Sequence, residues 1–456
     1  MAPKPLHKNG RTVAEASAQY RQRHAEPEAN LAARCRDTFD FVLVVPAYGE
    51  SPDFMDGYRA AASAAGSLLV VVVVNGRVGA PAAVDTANAT CMRALTTRFS
   101  LVALGPGGWI GRDTEHPNLS LLVVDRCTDG HQLPTRQGVG LARKIGADLA
   151  LSLIVAQRVR HPLIAMTDAD AHLPADYFAR LARLEPGYSA ALFPFWHEPG
   201  GDRRMDRATA LYELRLRYFE RGLRWARSPY AFHTVGSTMV VDARSYALVR
   251  GVPRRRAGED FYLLGKLSKL GPVTALAGDP IRLRSRLSER VPFGTGSESA
   301  KLARGAELQL YHPACFAAVR QVVSDLQYLA EAASTAGPDG APTVTADVLA
   351  RMPPLVRRFL IAQGAPHAWQ GITAQAPDPV TRLRRLHDWF DGFRTLKLIH
   401  YVRDHASPSL RWSEAMRRAP FMTDVHIDDD GENLRSARLT LLRLEQDGPA
   451  PVRARG

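Results

Sequence analysis

The chain has 456 residues, 46% of them apolar and 23% charged, with a formal net charge of +13. That length predicts two or three domains, or one large core with extensions, and a core of this size needs no disulfide staples. Cys35, Cys91, Cys127 and Cys315 lie far apart, with no C-x-x-C and no zinc spacing, which argues against a disulfide framework and fits a reducing cytoplasm. The positive charge is dispersed in arginines. It suits a phosphorylated small molecule, an anionic membrane surface or nucleic acid. Nucleic acid is the weakest of the three, because no helix-turn-helix or RNA-binding signature accompanies the charge.

The N-terminus has no apolar h-region of a secretory signal, and residues 1–38 read as a polar, partly helical extension. From 39 the pattern changes. "FDFVLVVPAYGE" (39–50) is an apolar run stopped by Pro46, suited to a central parallel strand. A helix over 53–66 closes at Gly66, and "SLLVVVVVNG" (67–76) is a second buried strand. Next come a helix over 83–99, a strand at 119–126, a helix over 138–154, a strand at 161–170 and a helix over 174–184. About 40 residues between the second and third strands read as an insertion. Beyond 185 the spacing predicts a strand at 190–199, a long helix over 203–227, a strand at 233–243 and a short helix over 258–271. From about 300 the chain reads as helical, broken by a Gly/Pro-rich loop at 334–342.

Strands alternating with helices predict an α/β, Rossmann-like fold, with a mostly parallel central sheet covered on both faces. Ligands of such sheets bind beyond the carboxyl ends of the strands. The pair in "IAMTDADAHLP" ends one of them. Asp168 and Asp170, two apart, present carboxylates to one side. Their repulsion is relieved by Mg²⁺ or Mn²⁺, which take one or two carboxylates plus substrate phosphates. His172 is a third potential ligand. A solvated turn, with Asp170 capping the next helix, is the alternative.

In order, "VVPAYGE", "VVVNG", "GVGLARKIGADLA", "MTDAD" and "GED" resemble the family-2 glycosyltransferases of the GT-A fold over residues 39–300. Gly49, Asn75 and Lys144 depart from the usual Asn, Asp and Asn of that pattern. The resemblance implies transfer of a sugar from a nucleotide-diphosphate donor to an acceptor hydroxyl of a glycan, lipid or small molecule. It implies Asp168 and Asp170 as the DXD motif that holds the metal, and Asp260 as the catalytic base of an inverting reaction, with Glu259 as second choice. Pro46, Ala47, Tyr48, Glu50, Asn75 and Arg143 would bind the donor, with Asp125 or Glu50 standing in for the missing Asp.

Arg282, Arg284 and Arg286 are two apart, so an extended segment puts them on one face, where guanidinium groups pair with phosphate. Arg286 and Arg290, nearest "PFGTG", are the chosen donor contacts. Trp196, His197 and His233 are the acceptor candidates, with Glu198 and Ser237 beside them. Two other readings remain: a sugar-phosphate nucleotidyltransferase, for which "PAYGESPDF" lacks the G-x-G-x-R loop, and a degenerate nucleotide or glycan binder. The helical region 301–456 has an apolar stripe, Val380, Leu383, Leu386, Trp389, Phe390, Phe393, Leu396 and Ile399. It packs against the catalytic domain or a partner subunit, or lies as a basic amphipathic helix on an anionic membrane. The expected location is cytoplasmic, with peripheral contact at the inner face of the membrane.

Overall fold

The computed structural model describes residues 12–64, 66–285, 295–426, 428 and 433–447, at 295–296 and 334–342 by backbone alone. Two compact units are formed. One runs up to Asp206 and resumes over Thr234–Ala300; the other holds Arg207–His233 and the chain from Lys301 on.

The strands are β1 (Phe41–Ala47), β2 (Leu68–Asn75), β3 (Val102–Gly105), β4 (Gly108–Arg112), β5 (Leu119–Arg126), β6 (Leu163–Met166), β7 (Ala171–His172), β8 (Ala190–Leu192), β9 (Phe195–Glu198), β10 (Met239–Asp242), β11 (Val273–Ala275) and β12 (Ile281–Arg284). The helices of the same stretch are α1 (Val13–Arg23), α2 (Arg59–Ser63), α3 (Ala82–Arg98), α4 (Val139–Val155), α5 (Tyr177–Ala182), α6 (Arg203–Trp225), α7 (Ala243–Leu248) and α8 (Glu259–Leu267), with α9 (Thr295–Ala303) after them. Nine strands form one mixed sheet in the order β11-β8-β10-β6-β1-β2-β5-β4-β3.

Its centre, β6-β1-β2-β5, is parallel, and β10 and β4 run against it, while β3, antiparallel to β4, runs with it. β1 and β2 are wholly buried, as continuous Val/Leu runs in a parallel sheet must be. From β1 the chain builds outward through β2 to β5 and then returns to β6 on the other side. This places a topological switch point between β1 and β6, where open α/β sheets bind ligands.

Several local expectations change. β1 runs through Pro46 to Ala47. The insertion contains α3 and a β3–β4 hairpin that adds antiparallel to β5; the Pro-Gly-Gly in "LGPGGW" was its turn signal. The single strand expected at 190–199 is two, β8 in the large sheet and β9 in a smaller β7-β12-β9 sheet. Pro194 has no N–H to continue the ladder, and the chain changes sheets there.

The second unit is mostly helical, with α10 (Pro313–Arg351) at its centre, then α11 (Pro354–Ala362), α12 (Ala365–Gln375), α13 (Pro379–Trp389), α14 (Gly392–His405), α15 (Trp412–Arg418) and α16 (Leu434–Asp447). α10 continues through 334–342, where a loop was expected. Leu326 and Leu329 before that stretch, and Val348 and Leu349 after it, bury in one core, and tertiary packing overrides the local breakers. The C-terminal stripe is divided between α13 and α14, because Asp391 accepts the Arg394 N–H and starts a new helix. Leu386, Phe390 and Ile399 are buried, while Val380 and Phe393 are exposed. No helix among the described residues is long and apolar enough to cross a membrane.

Candidate active site

Glycines bring α4 into place. A Cβ on Gly146 would lie 2.5 Å from Val44 of β1, and one on Gly140 would lie 2.5 Å from the Arg255 carbonyl oxygen. Only glycine permits both approaches. The Gly140 N–H donates to that same carbonyl at 3.2 Å, which ties the start of α4 to the segment leading into α8. Gly258, with φ +72°, turns that segment into α8.

Arg143 thereby projects to the carboxyl ends of the strands and is almost fully buried. One guanidinium nitrogen donates to Glu259 Oε1 and another to Asp168 Oδ1. Gly236 leaves room for the group; a Cβ there would lie 2.9 Å from Arg143 Nη1. Burial opposes the charge on Arg143, but Asp168 and Glu259 outweigh it and raise its pKa. Burial raises the pKa of Glu259 despite Arg143. Asp260 is half-buried next to it, and burial followed by the charge of Glu259 pushes its carboxyl up to about 7.

Asp168 follows β6 by two residues. Tyr58, on a 3-10 helix over Pro52–Tyr58, donates its hydroxyl to the Asp168 carbonyl at 3.0 Å. Burial and then the charges of Asp168, Asp170 and Glu50 raise the Tyr58 pKa. Asp168, Glu259 and Asp260 therefore surround Arg143 at the switch point, and Asp170 lies two residues from Asp168. Tyr58 and Gly236 were not legible as site residues, since no short motif marks either.

Lys144 faces away from Arg143. Its ammonium donates to Asp148 at 2.8 Å and to the Tyr20 hydroxyl. Asp148 also accepts from Tyr20, Tyr246 and the Glu26 N–H, and Glu26 accepts from Arg254 at 2.7 Å. The departure at Lys144 thus anchors α1 and a 3-10 helix over Pro27–Arg34 onto α4. Asp148→Asn removes the charge opposing Lys144 and is expected to cost about 1–3 kcal/mol. The readout is faster trypsin cleavage at Arg21, Arg23, Arg34 or Arg36; unchanged cleavage contradicts the anchoring role.

Asn75 is buried and donates to the Ala47 carbonyl at 2.9 Å and the Val73 carbonyl at 3.2 Å, so its amide ties the ends of β1 and β2. Pro46 and Ala47 are buried within β1, leaving Tyr48 and Glu50 as the half-buried part of that loop. Arg77 lies over the Tyr48 ring, 5.7 Å from its centre. Asp125 closes the turn after β5. Against the cost of burial, hydrogen bonds from Thr128 and Cys127 hold its carboxyl at about 2. Trp196 and His197 occupy opposite faces of β9, with Trp196 half-buried and His197 buried against Phe195. Ser237 is buried, and His233 belongs to the second unit. Arg286 and Arg290 lie outside the described residues.

One group of three ligating side chains gathers among the described residues: Asp113, Glu115 and His116, all within 4.8 Å of one another. Asp113 there already accepts from Arg98 at 2.9 Å and from the Glu115 N–H at 2.9 Å, as a turn residue does. No family model matches the chain, and no curated protein matches it in sequence.

Proposed function

We propose that the protein is a metal-dependent glycosyltransferase of the GT-A fold, similar to family 2. It transfers a sugar from a nucleotide-diphosphate donor to an acceptor hydroxyl. One observation carries this reading: Asp168, Glu259 and Asp260 gather about the buried Arg143 at the switch point of a parallel sheet, with Asp170 two residues from Asp168. That surplus of negative charge suits a hard divalent cation, Mn²⁺ or Mg²⁺. Asp168 and Asp170 are its proposed ligands, and Arg143 occupies only one oxygen of Asp168. Mg²⁺ and Mn²⁺ sites of this kind draw their remaining ligands from phosphate oxygens and water. The cation's chemical contribution is to neutralise charge on the departing diphosphate.

Asp260 is the proposed base. Its raised pKa makes it a better proton acceptor than an ordinary aspartate at neutral pH. Arg143 holds Glu259 and Asp168 and so spaces the base from the metal site. Tyr48 and Glu50 form the loop open to the donor. Asn75 and Asp125 serve through backbone ties, so base recognition falls to other groups of that loop.

The test is thermal stabilisation by a panel of nucleoside diphosphates and nucleotide sugars with and without Mn²⁺. At a ligand concentration about 100-fold above Kd, one diphosphate is expected to add about 2.7 kcal/mol of stability, and only with metal. No shift with any nucleotide, or one indifferent to metal in D168N/D170N as in wild type, refutes the proposal.

A further inference from the structure

The small β7-β12-β9 sheet has two unlike faces. Register pairs Arg282 with His172 on one side and Trp196 on the other, and Arg284 with Glu198. The Arg284 N–H donates to the Asp170 carbonyl at 3.2 Å, extending the ladder by one residue. Side chains alternate along a strand, and burial follows that alternation. Ile281, Leu283, Ala171, Phe195 and His197 are buried, whereas Arg282 and Arg284 are exposed and His172, Trp196 and Glu198 half-buried. Asp170 sits in the turn that leads into β7. One open face therefore carries two arginines and an aromatic ring, and the backbone of Asp170 borders its edge.

We propose that this face binds the acceptor, and that the acceptor is an anionic carbohydrate bearing a phosphate or carboxylate group. This rests on the glycosyl-transfer reading above. Trp196 supplies an apolar face for the sugar ring. Arg282 and Arg284 take the anionic group through the forked N–H geometry of guanidinium. Arg282 now pairs with Glu198 at 3.4 Å, but those side chains are 62% and 38% exposed. An ion pair so open to water is worth little and yields readily to a ligand oxyanion. On this face two arginines meet one glutamate, Glu198, and the surplus is positive. A neutral acceptor would leave that surplus unused.

The test uses immobilised oligosaccharides of three kinds, neutral glucans, hexuronate-containing and phosphohexose-terminated, with full-length protein, Mn²⁺ and saturating nucleoside diphosphates. Anionic glycans are expected to be retained roughly tenfold or more over neutral ones, and R282E/R284E to lose that margin. R282Q/R284Q repeats the loss without reversing charge, and an unchanged melting temperature shows that both variants fold. Whether the uronate or the phosphate arm is retained identifies the anionic group. Equal retention of neutral glucans, unchanged retention by the arginine variants, or no retention at all overturns the proposal. So does displacement of the glycan by nucleoside diphosphates, which assigns these arginines to the donor. The glycosyltransferase reading fails separately, by absence of metal-dependent nucleotide stabilisation in the wild type.

Discussion

Asp260→Asn is expected to lower turnover by about 10²–10⁴-fold while metal-dependent nucleotide binding persists. The amide keeps the volume and hydrogen-bonding shape of the side chain but accepts no proton. Donor consumption and transfer, assayed beside nucleotide-induced stabilisation, separate the two effects; turnover within a few fold of wild type removes Asp260 from the mechanism. The wild-type pH profile follows from the same carboxyl. It must be ionised to act, so kcat/KM should rise with pH through about 7.

Stability moves the other way. A carboxyl whose folded pKa lies above its unfolded value stabilises the fold at low pH, and that contribution is lost as pH rises through the folded pKa. Asp260→Asn should therefore melt above wild type at pH 8 and converge with it near pH 4, where the unfolded carboxyl also takes up its proton. A variant that is more stable and inactive is the signature of a strained functional group.

Arg143→Met is expected to destabilise the first unit by about 3–5 kcal/mol, because breaking a buried ion pair leaves the other charge unpaired. The charge left behind is on Glu259, whose side chain is 4% exposed. The urea midpoint reads the loss. As pH falls, Glu259 becomes neutral and the gap between variant and wild type should narrow; a gap that is small or constant with pH denies Arg143 its organising role. Glu259→Gln combined with Arg143→Met should recover part of the loss, since the paired removal leaves no bare charge.

How far the site was legible depends on the range of the interaction that makes it. The Asp168-Ala169-Asp170 pair announces itself, because its two acids stand two apart straight after an apolar strand. The opposition of Trp196 and His197 was also written in the chain, since neighbours on a strand point to opposite sides. Arg143 matched a motif, but its role depends on Asp168, 25 residues away, and Glu259, 116 residues away. No local pattern encodes that bridge. Lys144 resembled a damaged motif until Asp148, one helical turn on, and Tyr20, 124 residues away in sequence, appeared as its partners.

The sequence by itself determined the alternation of buried strands and helices, the acids at the strand ends and the helical character of the C-terminal region. These follow from local periodicity and from side chains that seek or avoid water over a few residues. Only the tertiary structure decided the sheet order with its reversed strands, the passage of 334–342 into α10 and the assignment of Arg207–His233 to the second unit. It also decided which face of the small sheet stays open beside Asp170. Those outcomes are set by packing and ion pairing between segments far apart in the chain, where burial of a shared core outweighs local conformational preference.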